Sequence, residues 1–193
     1  MNKEYRNISG IKTDENSRRI EGYAIRFNEQ SADLGFFETI EPSAISEEFL
    51  RQQDVIALFD HNRERGILAR YNKGVGNLNL ELRKDGLYYS FDALPTALGD
   101  EVLAYIRSGI IGGSSFAFAV DDDGDRWERR NDGKLYRTIT KIAWLGDVSC
   151  VVNPAYPTST CSCRSLDKFL EEEQKSKELK EKYNKLRDEI NNY

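Results

Sequence analysis

The sequence predicts an α+β chain that is mainly β: a closed or nearly closed antiparallel β-barrel with surrounding helices, followed by a charged C-terminal helical tail. Two observations predict it. Many short runs of strand-like composition are separated by polar or glycine turns, with two helix-like segments among them and no regular strand–helix alternation. From Arg164 onward the chain has neither glycine nor proline and is dense in Glu and Lys. The expected division is a barrel domain over residues 1–160 and a tail over 161–193.

Composition narrows the classes. A chain of 193 residues can bury one hydrophobic core. No run is long and apolar enough to span a bilayer as a helix, so no membrane partner is expected. The start, Met1-Asn-Lys-Glu-Tyr-Arg6, lacks an apolar signal core, and a cytoplasmic location is expected. The net charge of −5 argues against nucleic-acid binding by bulk electrostatics. Cys150, Cys161 and Cys163 are an odd number of thiols, expected to be reduced. Cys161-Ser-Cys163 has no second cysteine pair, and the one histidine is distant in sequence. No metal site and no cofactor are therefore expected.

The elements follow in order. Tyr5 to Lys12 and Arg18 to Arg26 read as strands around the polar turn Thr13–Ser17. Phe37 to Ile40 is a short extended piece after a polar loop. Pro42 and Ser43 open a helix to about Gln52, with Glu47 and Glu48 near its start and Ile45, Phe49 and Leu50 inward. Asp54 to Phe59 is an apolar run, a buried strand that ends beside His61. Gly66 to Tyr71, Val75 to Arg83 and Leu87 to Ala93 are strands, the last two joined at Lys84-Asp-Gly86. Thr96 can cap a helix from Ala97 to Ser108, with Leu98, Val102, Tyr105 and Ile106 on one face and Gly109 ending it.

Next comes Ile111-Gly-Gly-Ser-Ser-Phe-Ala-Phe-Ala-Val120. Phe116, Phe118 and Val120 alternate with Ser115, Ala117 and Ala119, the pattern of a half-buried strand. Asp121-Asp-Asp-Gly-Asp125 reads as a turn. Its glycine falls at the fourth position, which does not suit a calcium loop. Arg126 to Arg129 and Lys134 to Ile142 form a hairpin around Asn131-Asp-Gly133, and Trp144 to Val152 is the last strand. Asn153-Pro-Ala-Tyr-Pro157 ends it. In the tail, Glu171/Lys175, Glu173/Lys177, Glu178/Lys182 and Glu181/Lys185 are spaced i,i+4 with the acid first. Leu179, Tyr183, Leu186 and Ile190 form a narrow stripe, which fits a short coiled coil, a partner-binding helix or a solvated tail.

Chemistry concentrates at three places. A hydroxyl at a strand start beside Gly112 and Gly113 is rigid yet approachable, as a nucleophile requires. Ser114 shares its strand face with Phe116 and Phe118, and Ser115 shares its face with small alanines, so the pattern favours Ser115. His61 is the only histidine and so the only imidazole base available. Asp147, in Leu145-Gly-Asp-Val-Ser149, is a carboxylate in an apolar strand, where it needs a partner. That partner is His61 in a triad, a bulge that Asp147 caps, or Lys141.

Four segments then carry a resemblance: Phe37-Glu-Thr-Ile-Glu-Pro42, Leu58-Phe-Asp-His-Asn62, Gly113-Ser-Ser-Phe-Ala-Phe118 and Asp147-Val-Ser-Cys-Val-Val-Asn-Pro-Ala-Tyr-Pro157. In order and spacing they resemble the prohead (capsid-maturation) serine proteases of tailed bacteriophages, a family with a fold related to the herpesvirus assemblins. The resemblance covers about residues 18 to 160. It implies His61 as base, Ser115 as nucleophile and Asp147 as the third member. Here Ala117 stands where the family has glycine, Ser114 where it often has methionine, and Asp147 where it commonly has glutamate.

The resemblance further implies that the substrates are the scaffolding segment of the major capsid protein and the protease itself. Cleavage would occur inside the immature prohead in the host cytoplasm, with self-association as a further partner. An oxyanion hole would draw on backbone amides or an arginine, with Arg137 as a candidate. Two rivals stand beside this reading: a non-catalytic capsid assembly or scaffolding factor on the same fold, and a thiol enzyme using Cys150.

Overall fold

The strand that carries the two adjacent serines lies second from one edge of the largest sheet. This computed structural model describes residues 3–14, 16–152 and 164–191. In chain order the strands are β1 (Glu4–Ser9), β2 (Arg19–Arg26), β3 (Phe37–Ile40), β4 (Asp54–Phe59), β5 (Ala69–Asn72), β6 (Val75–Gly76), β7 (Asn79–Arg83), β8 (Gly86–Asp92), β9 (Gly113–Val120), β10 (Asp125–Arg129), β11 (Leu135–Ile139) and β12 (Ile142–Val151). The helices are α1 (Glu47–Gln52), α2 (Ala97–Arg107) and α3 (Arg164–Asn191). The chain divides into two compact units, Met1–Thr160 and Cys161–Tyr193.

The expected closed antiparallel barrel does not form. The fold is mixed α+β, with a six-stranded sheet in the order β1-β9-β12-β4-β5-β6 and two three-stranded sheets, β10-β11-β3 and β2-β8-β7. Two pairings are parallel, β12 with β4 and β11 with β3. The hairpin turns do pair their flanking strands, β7 with β8 around Lys84-Asp85 and β10 with β11 around Asn131-Asp-Gly133. Parallel partners arrive from far along the chain, with no local turn to mark them. Strand β4 shows why they arrive: every residue after Asp54 is buried, so it occupies the middle of a sheet covered on both faces.

The single helix expected from Pro42 to Gln52 is two pieces. Pro42–Ala44 is a 3₁₀ turn, Ile45 is extended at φ −134°, and Ser46 caps α1 by accepting from the Phe49 N–H. Extending at Ile45 buries that side chain and lets the serine restart a helix. Helix α2 forms where expected, with Thr96 accepting from the Gly99 N–H and Gly109 following at φ +75°, but its inner face is shifted: Val102, Leu103 and Ile106 are buried, while Leu98 and Tyr105 are half-buried.

One face of the six-stranded sheet packs into the main core. Phe116 and Phe118 of β9, Val148 and Cys150 of β12, and Ala57 and Phe59 of β4 meet Ile20, Leu87, Tyr89 and Phe91 of the β2-β8-β7 sheet. The hydroxyl of Tyr89 bonds Ser114 Oγ at 2.6 Å across that core. A buried ion cluster ties β1 to the β10-β11-β3 sheet. Arg137 bonds Glu4 at 2.6 Å, Glu38 at 2.9 Å and Asp125 at 2.6 Å, and Arg6 bonds Glu38 at 2.6 Å and Glu4 at 2.8 Å. Glu4 and Arg6 lie opposite Phe118 and Phe116 in the β1–β9 register, so the cluster sits on the core face.

In the second unit α3 is a helix over Arg164–Asn191. Glu171 and Lys175 approach at 4.0 Å and Glu173 and Lys177 at 3.7 Å, while Leu179 and Tyr183 are exposed. The side chains of Leu186 and Ile190, together with Asn153–Pro157, Cys161 and Cys163, lie outside the described residues.

Candidate active site

The other face of the six-stranded sheet carries the polar residues singled out in the sequence. Strand registers put Asn7 of β1 opposite Ser115 of β9, and Ser115 opposite Ser149 of β12. Side chains alternate along a strand, so Ser114 points into the core and Ser115 to this second face.

Asp147 reaches the same face through a bulge. Leu145 pairs with Phe118 and Asp147 with Ala117, leaving Gly146 as an extra residue. Without the bulge, Leu145 and Asp147, two apart, would share a face. With it, Leu145 enters the core and Asp147 the site. A Cβ on Gly146 would lie 1.9 Å from the Trp144 ring, so glycine lets the indole fold over the bulge.

His61 is placed by a tight turn after β4. Asp60 and His61 both have positive φ, +48° and +56°, and the Asn62 N–H bonds the Phe59 carbonyl at 3.0 Å. This is the pattern of a type I′ turn, and Asp and His are among the side chains that tolerate the left-handed region. The turn is fastened to β12: the Asp60 N–H donates to the Cys150 carbonyl at 3.0 Å, and the His61 N–H donates to Ser149 Oγ at 3.3 Å.

The three side chains meet. His61 Nδ1 lies 2.5 Å from Asp147 Oδ1, and His61 Nε2 lies 2.7 Å from Ser115 Oγ. An ionised carboxylate can only accept, so Nδ1 donates its proton to Asp147. Nε2 then presents its lone pair to the Ser115 hydroxyl. Asp147 and Ser115 are buried, whereas the His61 side chain keeps 20% of its exposure and opens the site to solvent. A hydroxyl bonded to a base that is itself oriented by a carboxylate is the arrangement that activates serine for attack on an acyl carbon.

The other candidates lie elsewhere. Lys141 pairs with Asp121 at 2.6 Å and leaves Asp147 to the imidazole. Arg137, nominated for an oxyanion hole, belongs to the ion cluster on the core face. Burial works against its charge, but the carboxylates of Glu4, Glu38 and Asp125 outweigh that and raise its pKa. Cys150 is buried in the core, where desolvation pushes its thiol pKa up to about 12, opposite to what a thiol nucleophile needs.

Two contacts to the imidazole are not legible in the sequence. The Tyr5 ring meets the His61 ring edge-on, with centroids 4.5 Å apart. Ser149 Oγ lies 3.1 Å from His61 Nδ1 and donates to Asp147 Oδ1 at 3.0 Å. Tyr5 comes from the far end of the chain. Ser149 was marked only by its place two residues after the acid, a spacing that a strand turns into a shared face.

The family model for the caudovirus prohead serine protease matches residues 6–172. Among solved structures, the bacteriophage T4 capsid assembly protease is similar at 12% identity, covering 79% of this chain and 99% of that chain with a TM-score of 0.49. No curated protein sequence matches. No helix among the described residues is long and apolar enough to cross a membrane. The family match spans most of the chain, and the chain belongs to the caudovirus prohead serine proteases, enzymes of capsid maturation.

Proposed function

We propose that Ser115, His61 and Asp147 are the catalytic triad of an endopeptidase that cuts the scaffolding segment of capsid protein, and its own chain, inside the immature shell. The contact that carries this reading is the 2.7 Å approach of Ser115 Oγ to His61 Nε2, with Asp147 2.5 Å from the other ring nitrogen. His61 takes the hydroxyl proton as Ser115 Oγ attacks the scissile carbonyl. The imidazolium formed is stabilised by Asp147 and returns the proton to the leaving amine. Water then repeats the sequence on the acyl-enzyme: it gives a proton to His61, attacks the ester and frees Ser115.

A serine-directed fluorophosphonate tests the assignment. Incubation of the purified chain followed by peptide mapping is expected to place the label on Ser115. A label on Cys150 or Ser114, or none, would overturn it, and the last of these is what a non-catalytic assembly factor gives.

Self-cleavage has an expected location. Exposed segments with little packing are preferred cleavage sites, and most described side chains of α3 are exposed. Prolonged incubation of active enzyme is expected to remove part of residues 164–193 and leave the first unit intact. An unchanged intact mass in a sample that cleaves capsid precursor would count against this.

A further inference from the structure

We propose that Ser149 is a positioning residue for the base and the acid together. The inference rests on the triad reading above. A hydroxyl offers one donor and two acceptor sites. The proton of Ser149 goes to Asp147 Oδ1 at 3.0 Å, the same oxygen that receives the His61 Nδ1 proton. One lone pair accepts the main-chain N–H of His61 at 3.3 Å. Ser149 therefore grips the carboxylate of the acid and the backbone of the base at once.

Both grips bear on geometry that is otherwise weakly fixed. His61 sits in a left-handed turn at φ +56°, a conformation that histidine tolerates but that contacts from neighbouring strands must still hold in place. Its N–H bond to Ser149 and the adjacent Asp60 bond to the Cys150 carbonyl supply those contacts from β12. Ser149 is 1% exposed, so water does not compete for these bonds. The β9–β12 register sets Ser149 directly opposite Ser115, which places its hydroxyl on the reacting face.

A serine that only satisfied buried polar groups would affect stability and leave the imidazole alone. The two roles separate in a chain with one histidine, because every imidazole resonance in a ¹⁵N-histidine-labelled sample comes from His61. Three purified full-length proteins are compared: wild type, Ser149→Ala and Ser149→Thr, the last keeping the hydroxyl. Each is scored by the His61 Nδ1–H signal and by the rate of phosphonylation with a fluorophosphonate. Wild type and Ser149→Thr are expected to show a slowly exchanging downfield Nδ1–H. Ser149→Ala is expected to lose or broaden it and to react about 10- to 100-fold more slowly, the scale of one hydrogen bond to a charged group.

A Ser149→Ala protein with the wild-type signal and wild-type rate would overturn the proposal. So would a slow Ser149→Ala protein whose Nδ1–H signal is unchanged. If Ser149→Ala does not fold, Ser149→Cys takes its place, since it keeps the size and gives up the strong donor. The outcomes also separate from those of the triad reading. A wild-type label on a residue other than Ser115 defeats that reading, while the Nδ1–H signal still reports whether Ser149 holds His61 and Asp147.

Discussion

Ser115→Ala is expected to abolish both self-processing and cleavage of capsid precursor, with a loss in kcat of roughly 10⁶, the scale seen when a triad nucleophile is removed. The melting temperature should change little, because the variant loses one contact at the His61 ring and no core packing. Ser114→Ala is the informative control. Its hydroxyl bonds Tyr89 inside the core, and removing it leaves the Tyr89 O–H without that partner. That is a stability loss of about 1–3 kcal/mol, with substantial activity retained in the folded fraction. Paired assays at a temperature where both variants are folded decide the matter. Active Ser115→Ala beside inactive Ser114→Ala would mean the wrong hydroxyl has been named.

Asp147→Asn is expected to lower turnover by about 10⁴ while the chain still folds. The amide is close in shape to the carboxylate but offers an N–H₂ as well as a carbonyl. An amide that donates to Nδ1 holds the imidazole with its proton on Nε2, where it can no longer accept from Ser115. The NH₂ that faces Nδ1 takes the place of the oxygen to which Ser149 donates, and the Ser149 hydroxyl can accept from it instead; the variant also removes a charge from a buried position, so a large fall in stability is not expected. Near-wild-type cleavage of capsid precursor by Asp147→Asn would remove Asp147 from the triad.

Much of the candidate site could be read from the chain alone because its residues carry strong local signals. His61 is the only histidine and follows an apolar strand, and Ser115 sits on the small-residue face of a clean alternation. Asp147 was harder. Strict alternation puts it on the face of Leu145, and only the extra residue Gly146 separates the two. Its lone charge in an apolar strand was the better clue. The architecture was less legible. Turns announce hairpins, and β7–β8 and β10–β11 formed where their turns predicted. The pairings of β4 with β12 and β3 with β11 depend on which buried strand fits beside which, and no local residue encodes that. Arg137 failed as a candidate for the same reason: its partners Glu4, Glu38 and Asp125 come from three separate strands or turns.

The position of β12 has a consequence for when the enzyme can exist. It is the last strand among the described residues, yet it lies in the interior of the sheet, between β9 and β4. A chain still emerging from the ribosome can present His61 and Ser115, but it has nothing between their strands. Until residues 142–151 insert, β9 and β4 have no common neighbour, the His61 turn has no Ser149 or Cys150 to fasten to, and the acid is absent. Closing such distant pairings is slow compared with forming hairpins. On the proposed triad, a chain that has not yet placed β12 is expected to be inactive, because His61, Ser115 and Asp147 come together only across that strand.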